Sequence, residues 1–261
     1  MLSRRAVLAL PLAAVACRRA ESSARGYAFI ANQDGGAIAA VDLEIMAVSK
    51  HIAVDGSPVQ VLSAPWPAVY ALTANGTVHE IRTDTLKLAR SQSVAPQADF
   101  MQFSQDQKML YVVSRQTPTL TAVSLDKLNV AWRMKLPEQP VDFAVSSDGK
   151  TAAVSSATAV RLVSLTARSI GEPLGRGNYG PVVFLNNAER LIAGDLDNRQ
   201  ISIYRVENPH VVAQLPTAVR PENLCFNRDG GQLFVTGAGM DAVVIVYPYN
   251  IPEVAETVLT G

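Results

Sequence analysis

Hydrophobic and polar residues alternate along this chain in short segments, and one such segment recurs about every 41 residues. It is a short run of mostly apolar residues with a polar residue near its end, and short segments of this kind without a helical period predict β-strands rather than helices. Unrelated strands would not keep so narrow a spacing. Equivalent residues, the third of most copies, follow one another at distances of 40, 42, 40, 41 and 42 residues, and they are Asp42, Arg82, Ser124, Ser164, Arg205 and Tyr247.

Further strands surround each copy, so that a unit contains four of them. Hairpin turns precede the second strand of most units, and the pairs Asp148-Gly149 and Asp229-Gly230 supply the positive φ angle that such turns require. Four short strands in a period near 40 residues predict an all-β fold, a β-propeller of four-stranded antiparallel blades with six visible units. The predicted units span residues 27–58, 59–97, 98–140, 141–181, 182–221 and 222–261.

The first unit also carries a family resemblance. Its strand Tyr27-Ala28-Phe29-Ile30-Ala31-Asn32, the turn that follows and the loop Asp55-Gly56-Ser57-Pro58 resemble the YVTN β-propeller repeat. The resemblance extends to the end of the chain in degenerate copies. It implies a relationship to lactonase-like and quinoprotein-like propellers, and YVTN-like and lactonase-like propellers commonly have seven blades.

Closure of the ring is the open question in this fold. The first unit lacks an innermost strand, because residues 18–26 are polar and unpatterned, and the sequence ends after the outer strand of the sixth unit. Either the ring closes with a three-stranded first blade, or one further blade of about 40 residues completes it. The family resemblance favours the incomplete seven-bladed ring.

The first residues have the features of an export signal. Arg4 and Arg5 precede an apolar run over residues 6–16, which ends in the small-x-small motif Ala14-Val15-Ala16. The run is too short for a transmembrane helix, which needs roughly 20 apolar residues. We therefore predict a signal peptide at 1–16, a polar tether at 17–26 and the propeller domain at 27–261.

Cys17 follows this motif directly, and two interpretations of it stay open. Residues 14–17 resemble a bacterial lipobox, which implies acylation of Cys17 and a lipid anchor on the periplasmic side or at the outer membrane. The alternative is ordinary cleavage after Ala16, and the lipoprotein is favoured because an exposed odd thiol is a liability in an oxidising compartment. Residues 3–8 also resemble a twin-arginine signal, so the export route, Tat or Sec, is open.

Composition and charge exclude some classes of function. Hydrophobic residues make up 48% of the chain, which fits a well-buried β protein. The formal net charge is zero, with 23 basic and 23 acidic residues, and no basic stripe is visible, so nucleic acid is not an expected partner. Cys225 lies in an apolar strand, where we expect a buried small side chain.

Candidate chemistry is sparse. His51, His79 and His210 fall at different places in different units, so they are not expected to meet, and no metal site is predicted. The Cys-x-x-Cys-His motif of covalent haem is missing, and we expect no cofactor.

The loops that enter each inner strand should line one mouth of the channel. Carboxylates close to a basic group can bind a polar ligand or a cation there, although Asp and Asn are also common in tight turns. The mouth candidates are Gln60, Asp99, Asp142, Arg220, Glu222 and Asn223.

Two classes of function follow. The first is a non-enzymatic binding or scaffold propeller of the cell envelope, whose partner is a protein, peptide or polysaccharide. The second is a lactonase-like hydrolase or quinoprotein-like oxidoreductase that would use Asp99 and Asp142 with Arg220. For the enzyme, the two carboxylates must point into one cavity, and at least one of them needs a strongly shifted pKa.

Overall fold

The computed structural model describes residues 26–260, and every regular element in this range is a β-strand. The predicted signal peptide, Cys17 and nearly all of the tether therefore lie outside the described residues. Within residues 26–260 the structure contains no helix that is long and apolar enough to span a membrane.

The strands form six antiparallel sheets, one from each predicted unit, and the β-propeller prediction is confirmed. The first sheet has three strands and the other five have four. The first sheet contains β1 (Tyr27–Asn32), β2 (Ala37–Asp42) and β3 (Ala47–Ala53), and the second contains β4 (Pro58–Ser63), β5 (Ala68–Thr73), β6 (Thr77–Arg82) and β7 (Lys87–Ser93). The third contains β8 (Phe100–Phe103), β9 (Met109–Ser114), β10 (Thr119–Ser124) and β11 (Asn129–Lys135), and the fourth contains β12 (Pro140–Val145), β13 (Thr151–Ser156), β14 (Ala159–Ser164) and β15 (Ser169–Arg176). The fifth contains β16 (Tyr179–Phe184), β17 (Arg190–Asp195), β18 (Gln200–Arg205) and β19 (His210–Pro216), and the sixth contains β20 (Asn223–Phe226), β21 (Leu233–Thr236), β22 (Ala242–Tyr247) and β23 (Glu253–Leu259).

Each sheet is a meander in which sequential strands pair through short hairpins. The last hairpin of all six sheets contains a non-glycine residue in the left-handed region, where a side chain other than that of Asn is disfavoured. These residues are Met46, Leu86, Leu128, Arg168, Asn208 and Asn250, with φ between 46° and 53°. The backbone of this last hairpin therefore recurs in all six sheets even where the side chains differ.

Five apolar clusters hold the six sheets together, one between each sheet and the next. Side chains of one sheet face alternately forward and backward. Ile203 of β18, for example, packs against the sixth sheet, while Tyr204 packs against the fourth. Among the described residues no cluster joins the sixth sheet to the first, so the sheets are not closed into a ring.

The open faces of the first and sixth sheets are unusually apolar for solvent-exposed surface. Ile30 of β1 is 53% exposed, and Cys225, Phe234 and Ile245 share a row on the uncovered face of the sixth sheet. The expectation that Cys225 is buried was wrong, since its thiol is exposed on this face. Its strand alternates like the others, but no sheet formed by residues 26–260 covers its second face.

Candidate functional site

The beginnings of the inner strands lie at one end of the sheets, together with the hairpins that join the second and third strands. The antiparallel pairing produces this arrangement, because Phe100 at the start of β8 pairs with Val113 near the end of β9. Asn223 at the start of β20 likewise pairs with Thr236 at the end of β21. We call this end the mouth, and all six candidate residues from the sequence lie there.

Gln60 and Asp142 occupy the same place in their units, and both form hydrogen bonds between neighbouring sheets. The Gln60 Oε1 atom accepts a hydrogen bond of 2.6 Å from the Met101 N–H, and Asp142 Oδ2 accepts one of 2.9 Å from the Val182 N–H. Gln102 makes the third such bond, since its Oε1 atom accepts from the Val145 N–H at 3.0 Å.

These three bonds satisfy backbone donors on the inner strands of the third, fourth and fifth sheets. A buried backbone N–H without a partner would be costly, so the side chains fasten each sheet to the next. Sequence reasoning missed Gln102, which lies two positions further along its inner strand than Gln60 and Asp142 do in theirs.

Asp99 has a different neighbour. Its Oδ2 atom accepts a hydrogen bond of 2.8 Å from the Arg115 N–H, within the same sheet. Asp99 thus stabilises the hairpin that follows β9, and Asp142 stabilises the contact between the fourth and fifth sheets. The structure does not bring the two carboxylates together in one cavity.

Three of the six candidates share a cavity of about 440 Å³ at the mouth, which we call the mouth cavity. It is framed by the third, fourth, fifth and sixth sheets. Its lining residues are Phe100, Arg115, Val141, Asp142, Gly180, Pro181, Leu196, Glu222, Asn223 and Leu224. Gln60, Asp99 and Arg220 are not part of this lining.

Arg115 is the basic group of the mouth cavity, and the sequence analysis did not select it. Its guanidinium carbon lies 4.4 Å from the centre of the Phe100 ring, a distance at which a cation is attracted to the aromatic face. Its Nη2 atom donates a hydrogen bond of 2.7 Å to the Val141 carbonyl of the fourth sheet. Within residues 26–260 its buried Nε atom has no hydrogen-bond partner. Phe100 and Val141 therefore hold the guanidinium in place, and its Nε–H group is left without an acceptor among residues 26–260.

Asp142 is a weaker acid at the mouth than an exposed aspartate, because its pKa is raised. Burial raises the pKa of Asp142, because a charged carboxylate loses its hydration there. The N–H groups of Val182 and Phe143 and the charge of Arg115 oppose this effect in part. The net result is a carboxyl group that protonates more readily than an exposed aspartate.

Arg220 and Glu222 form a pair at the edge of the mouth cavity. Arg220 Nη1 lies 3.2 Å from Glu222 Oε1, and Arg220 Nε donates to the Leu196 carbonyl at 3.3 Å. Gly237 allows this arrangement, since a Cβ atom there would lie only 1.7 Å from the Arg220 carbonyl oxygen. Asn223 is exposed beside the pair.

The histidines do not meet in the described structure. His79 is fully buried, with Nδ1 at 2.8 Å from Ser91 Oγ and Nε2 at 3.3 Å from Thr73 Oγ1, and burial lowers its pKa. His51 and His210 are exposed in other sheets. Across residues 26–260 no group of three or more His, Cys, Asp or Glu side chains is arranged to hold a metal ion.

Comparison with solved structures finds the same fold in other proteins. The chain is similar to a chain of Kuenenia stuttgartiensis hydrazine synthase, with a TM-score of 0.73, 16% sequence identity, and coverage of 90% of this chain and 84% of that chain. It is also similar to a functionally unknown protein from Desulfotomaculum acetoxidans DSM 771, with a TM-score of 0.76, 14% identity, and coverage of 89% and 79%. No protein-family model and no curated protein sequence matches the chain. At these identities the likeness shows the fold alone.

Proposed function

We propose that this protein is an exported, non-enzymatic binding propeller of the bacterial cell envelope, which holds a protein or peptide partner at the mouth cavity. Its repeats are of the YVTN kind in this proposal. Residues 1–16 direct export, and an acylated Cys17 anchors the mature chain to the membrane through the short tether.

One observation carries the binding function. Asp99 and Asp142, the carboxylates that an acid–base mechanism would need together, are each used by a backbone N–H, and they face different neighbours. A general acid and base must both reach the substrate, and only Asp142 lines the mouth cavity. The arrangement supports a structural task for both residues.

The lining of the mouth cavity suits a polypeptide. Phe100, Leu196 and Leu224 offer apolar surface, and Arg115 offers N–H donors for a carboxylate or a backbone carbonyl of the partner. Arginine beside an aromatic ring is typical of the residues that dominate protein interfaces, because it combines apolar contact with directed hydrogen bonds. Arg115 is already held by Phe100 and Val141, so binding would cost little side-chain entropy.

The test is capture from a cell-envelope extract on immobilised wild-type protein, Arg115→Ala and Arg190→Ala, with quantification by mass spectrometry. Arg190 is the matched control, because its Nη1 atom also donates to a carbonyl of the next sheet, Pro248 O at 3.1 Å, but at the opposite end of the sheets. We expect a protein that wild type and Arg190→Ala enrich and Arg115→Ala does not. Equal enrichment on both variants, or no enriched protein, would contradict the proposal.

A hydrolase or oxidoreductase is the second candidate, and one observation favours it. Asp142 has a raised pKa and shares the mouth cavity with Arg115 and Glu222, as an acid catalyst with an anion-binding group would. A screen with lactones and sugar acids tests this candidate. Turnover by wild type that is lost in Asp142→Asn would establish it, because asparagine keeps an acceptor for the Val182 N–H but cannot transfer a proton.

A further inference from the structure

A second cavity, of about 580 Å³, lies between the second and third sheets at the end opposite the mouth. We call it the Trp66 cavity, after the residue that lies between β4 and β5 on its wall. The third sheet contributes the hairpin residues Gln107 and Lys108 and, from the end of β10 and the turn after it, Ser124 and Asp126.

Trp66 is presented at this cavity in a fixed orientation. Its ring is 37% exposed, and it contacts Tyr70 and Phe103 edge to face, with ring centres 6.4 and 6.5 Å apart. Tyr70 and Phe103 contact each other in the same way at 5.7 Å. The buried rings therefore hold the indole in place while part of it stays accessible from solvent.

The conformation of the hairpin does not require a tryptophan at position 66. In the third to sixth sheets the equivalent residue of the hairpin before the second strand has a positive φ, from 53° to 76°, and these residues are Gln107, Gly149, Ala188 and Gly230. Trp66 stands between two prolines in a hairpin that is one residue shorter and does not use this conformation. The second sheet thus departs from the repeat to place a large aromatic ring where the others place a turn residue.

The charged side chains around the Trp66 cavity sum to zero, and two of them form an ion pair with each other. Glu80 forms an ion pair with Arg90, whose guanidinium also donates to the carbonyls of Leu125 and Asp126 in the third sheet. The equivalents of Glu80 in the other sheets are all aliphatic, so this pair is particular to this cavity. Lys108 and Asp126 add one charge of each sign. A net charge of zero disfavours an ionic ligand and favours a neutral polar one.

The side chain of Gln107 contains a hydrogen-bond acceptor that no group of residues 26–260 satisfies. Its Oε1 atom is buried and has no hydrogen-bond partner within residues 26–260, and it lies on the wall of the Trp66 cavity. Buried carbonyl oxygens are nearly always bonded, so this unpaired acceptor would gain a partner if a rotation of the side chain turned it toward a donor in the cavity. A hydroxyl group is such a donor.

We propose that the Trp66 cavity is a binding site for a neutral saccharide. A sugar ring has a face of C–H groups, which would stack on the Trp66 indole, and a rim of hydroxyls, which would bond to the polar groups of Gln107, Lys108, Ser124 and Asp126. The cavity is large enough for a unit of an oligosaccharide. This site is independent of the proposed function, because it lies at the other end of the sheets from the mouth cavity.

The experiment uses the two tryptophans of the chain. In Trp132→Phe the only remaining indole is Trp66, so its fluorescence reports directly on the cavity. We would titrate this protein with three neutral trisaccharides, maltotriose, cellotriose and triacetylchitotriose, and with the charged trigalacturonate. We expect a saturable change with at least one neutral trisaccharide and at least tenfold weaker binding of trigalacturonate.

Calorimetry on otherwise wild-type protein provides the matched variants. Trp66→Ala should weaken binding of the same trisaccharide at least tenfold. Gln107→Gly should weaken it several-fold while keeping the fold, because glycine is the natural residue at this place in the fourth and sixth sheets. Partner capture at the mouth should be unchanged in both variants, which separates this proposal from the proposed function. No saturable signal with any neutral trisaccharide, equal binding of trigalacturonate, or unchanged affinity in Trp66→Ala would overturn the proposal.

Discussion

The open side of the sixth sheet can be tested with one matched pair of substitutions. Ile203 of β18 and Ile245 of β22 occupy the same place in the repeat, on the side of each sheet that faces the following sheet. Ile203 is fully buried against the sixth sheet, whereas Ile245 is part-exposed on a face that no described residue covers. The two substitutions Ile203→Ala and Ile245→Ala therefore differ chiefly in burial.

The expected magnitudes follow from that difference. Removing a buried isoleucine side chain costs about 2–5 kcal/mol of unfolding free energy, since apolar transfer is lost and a cavity is left. At Ile245 no enclosed cavity forms and little area returns to water, so we expect about 1 kcal/mol. The loss of β-propensity is common to both sites and cancels in the comparison.

Urea unfolding of wild type and both variants, followed by circular dichroism, measures the two values from the shift in midpoint at constant slope. We predict that Ile203→Ala is more costly by about 2 kcal/mol. Losses of unfolding free energy that agree within about 0.5 kcal/mol would show that Ile245 is as well covered as Ile203.

Three other predictions concern a hydrogen bond between two sheets, the pH dependence of stability and the lipid anchor. Gln102→Leu should lower the unfolding free energy by about 1–3 kcal/mol in urea, since it leaves the Val145 N–H without its acceptor. Burial lowers the pKa of His79 in the folded protein below its ordinary 6.5. The unfolding free energy of wild type should therefore fall as the pH falls from above 6.5 through the lowered pKa, and that of His79→Gln should fall less over the same pH range. Labelling with a radioactive fatty acid should mark wild type and not Cys17→Ser, and equal label in both would argue against acylation of Cys17.

The sequence could predict what depends on the repeat within one unit. Alternation and the 41-residue spacing located β1 at Tyr27–Asn32 as observed. Within residues 26–260 the first sheet has three strands, as the polar residues before Tyr27 led us to expect.

Contacts between units could not be predicted in the same way. Arg115 lies in a hairpin of unremarkable sequence, and its role depends on Phe100 beside it and Val141 in the next sheet. Cys225 was misplaced for a related reason, since alternation shows that a strand has two faces but not whether a neighbour covers both. A mouth built from several sheets becomes visible only when the sheets are in place.

Binding of a polypeptide partner at the mouth cavity should depend on Arg115 and its apolar neighbours. The affinity of the purified partner for wild type, Arg115→Ala and Arg190→Ala, determined by isothermal titration calorimetry, tests this dependence. We expect at least a tenfold loss of affinity in Arg115→Ala, which is about 1.4 kcal/mol or more, and an unchanged affinity in Arg190→Ala. Equal affinity of all three proteins would show that Arg115 takes no part in binding.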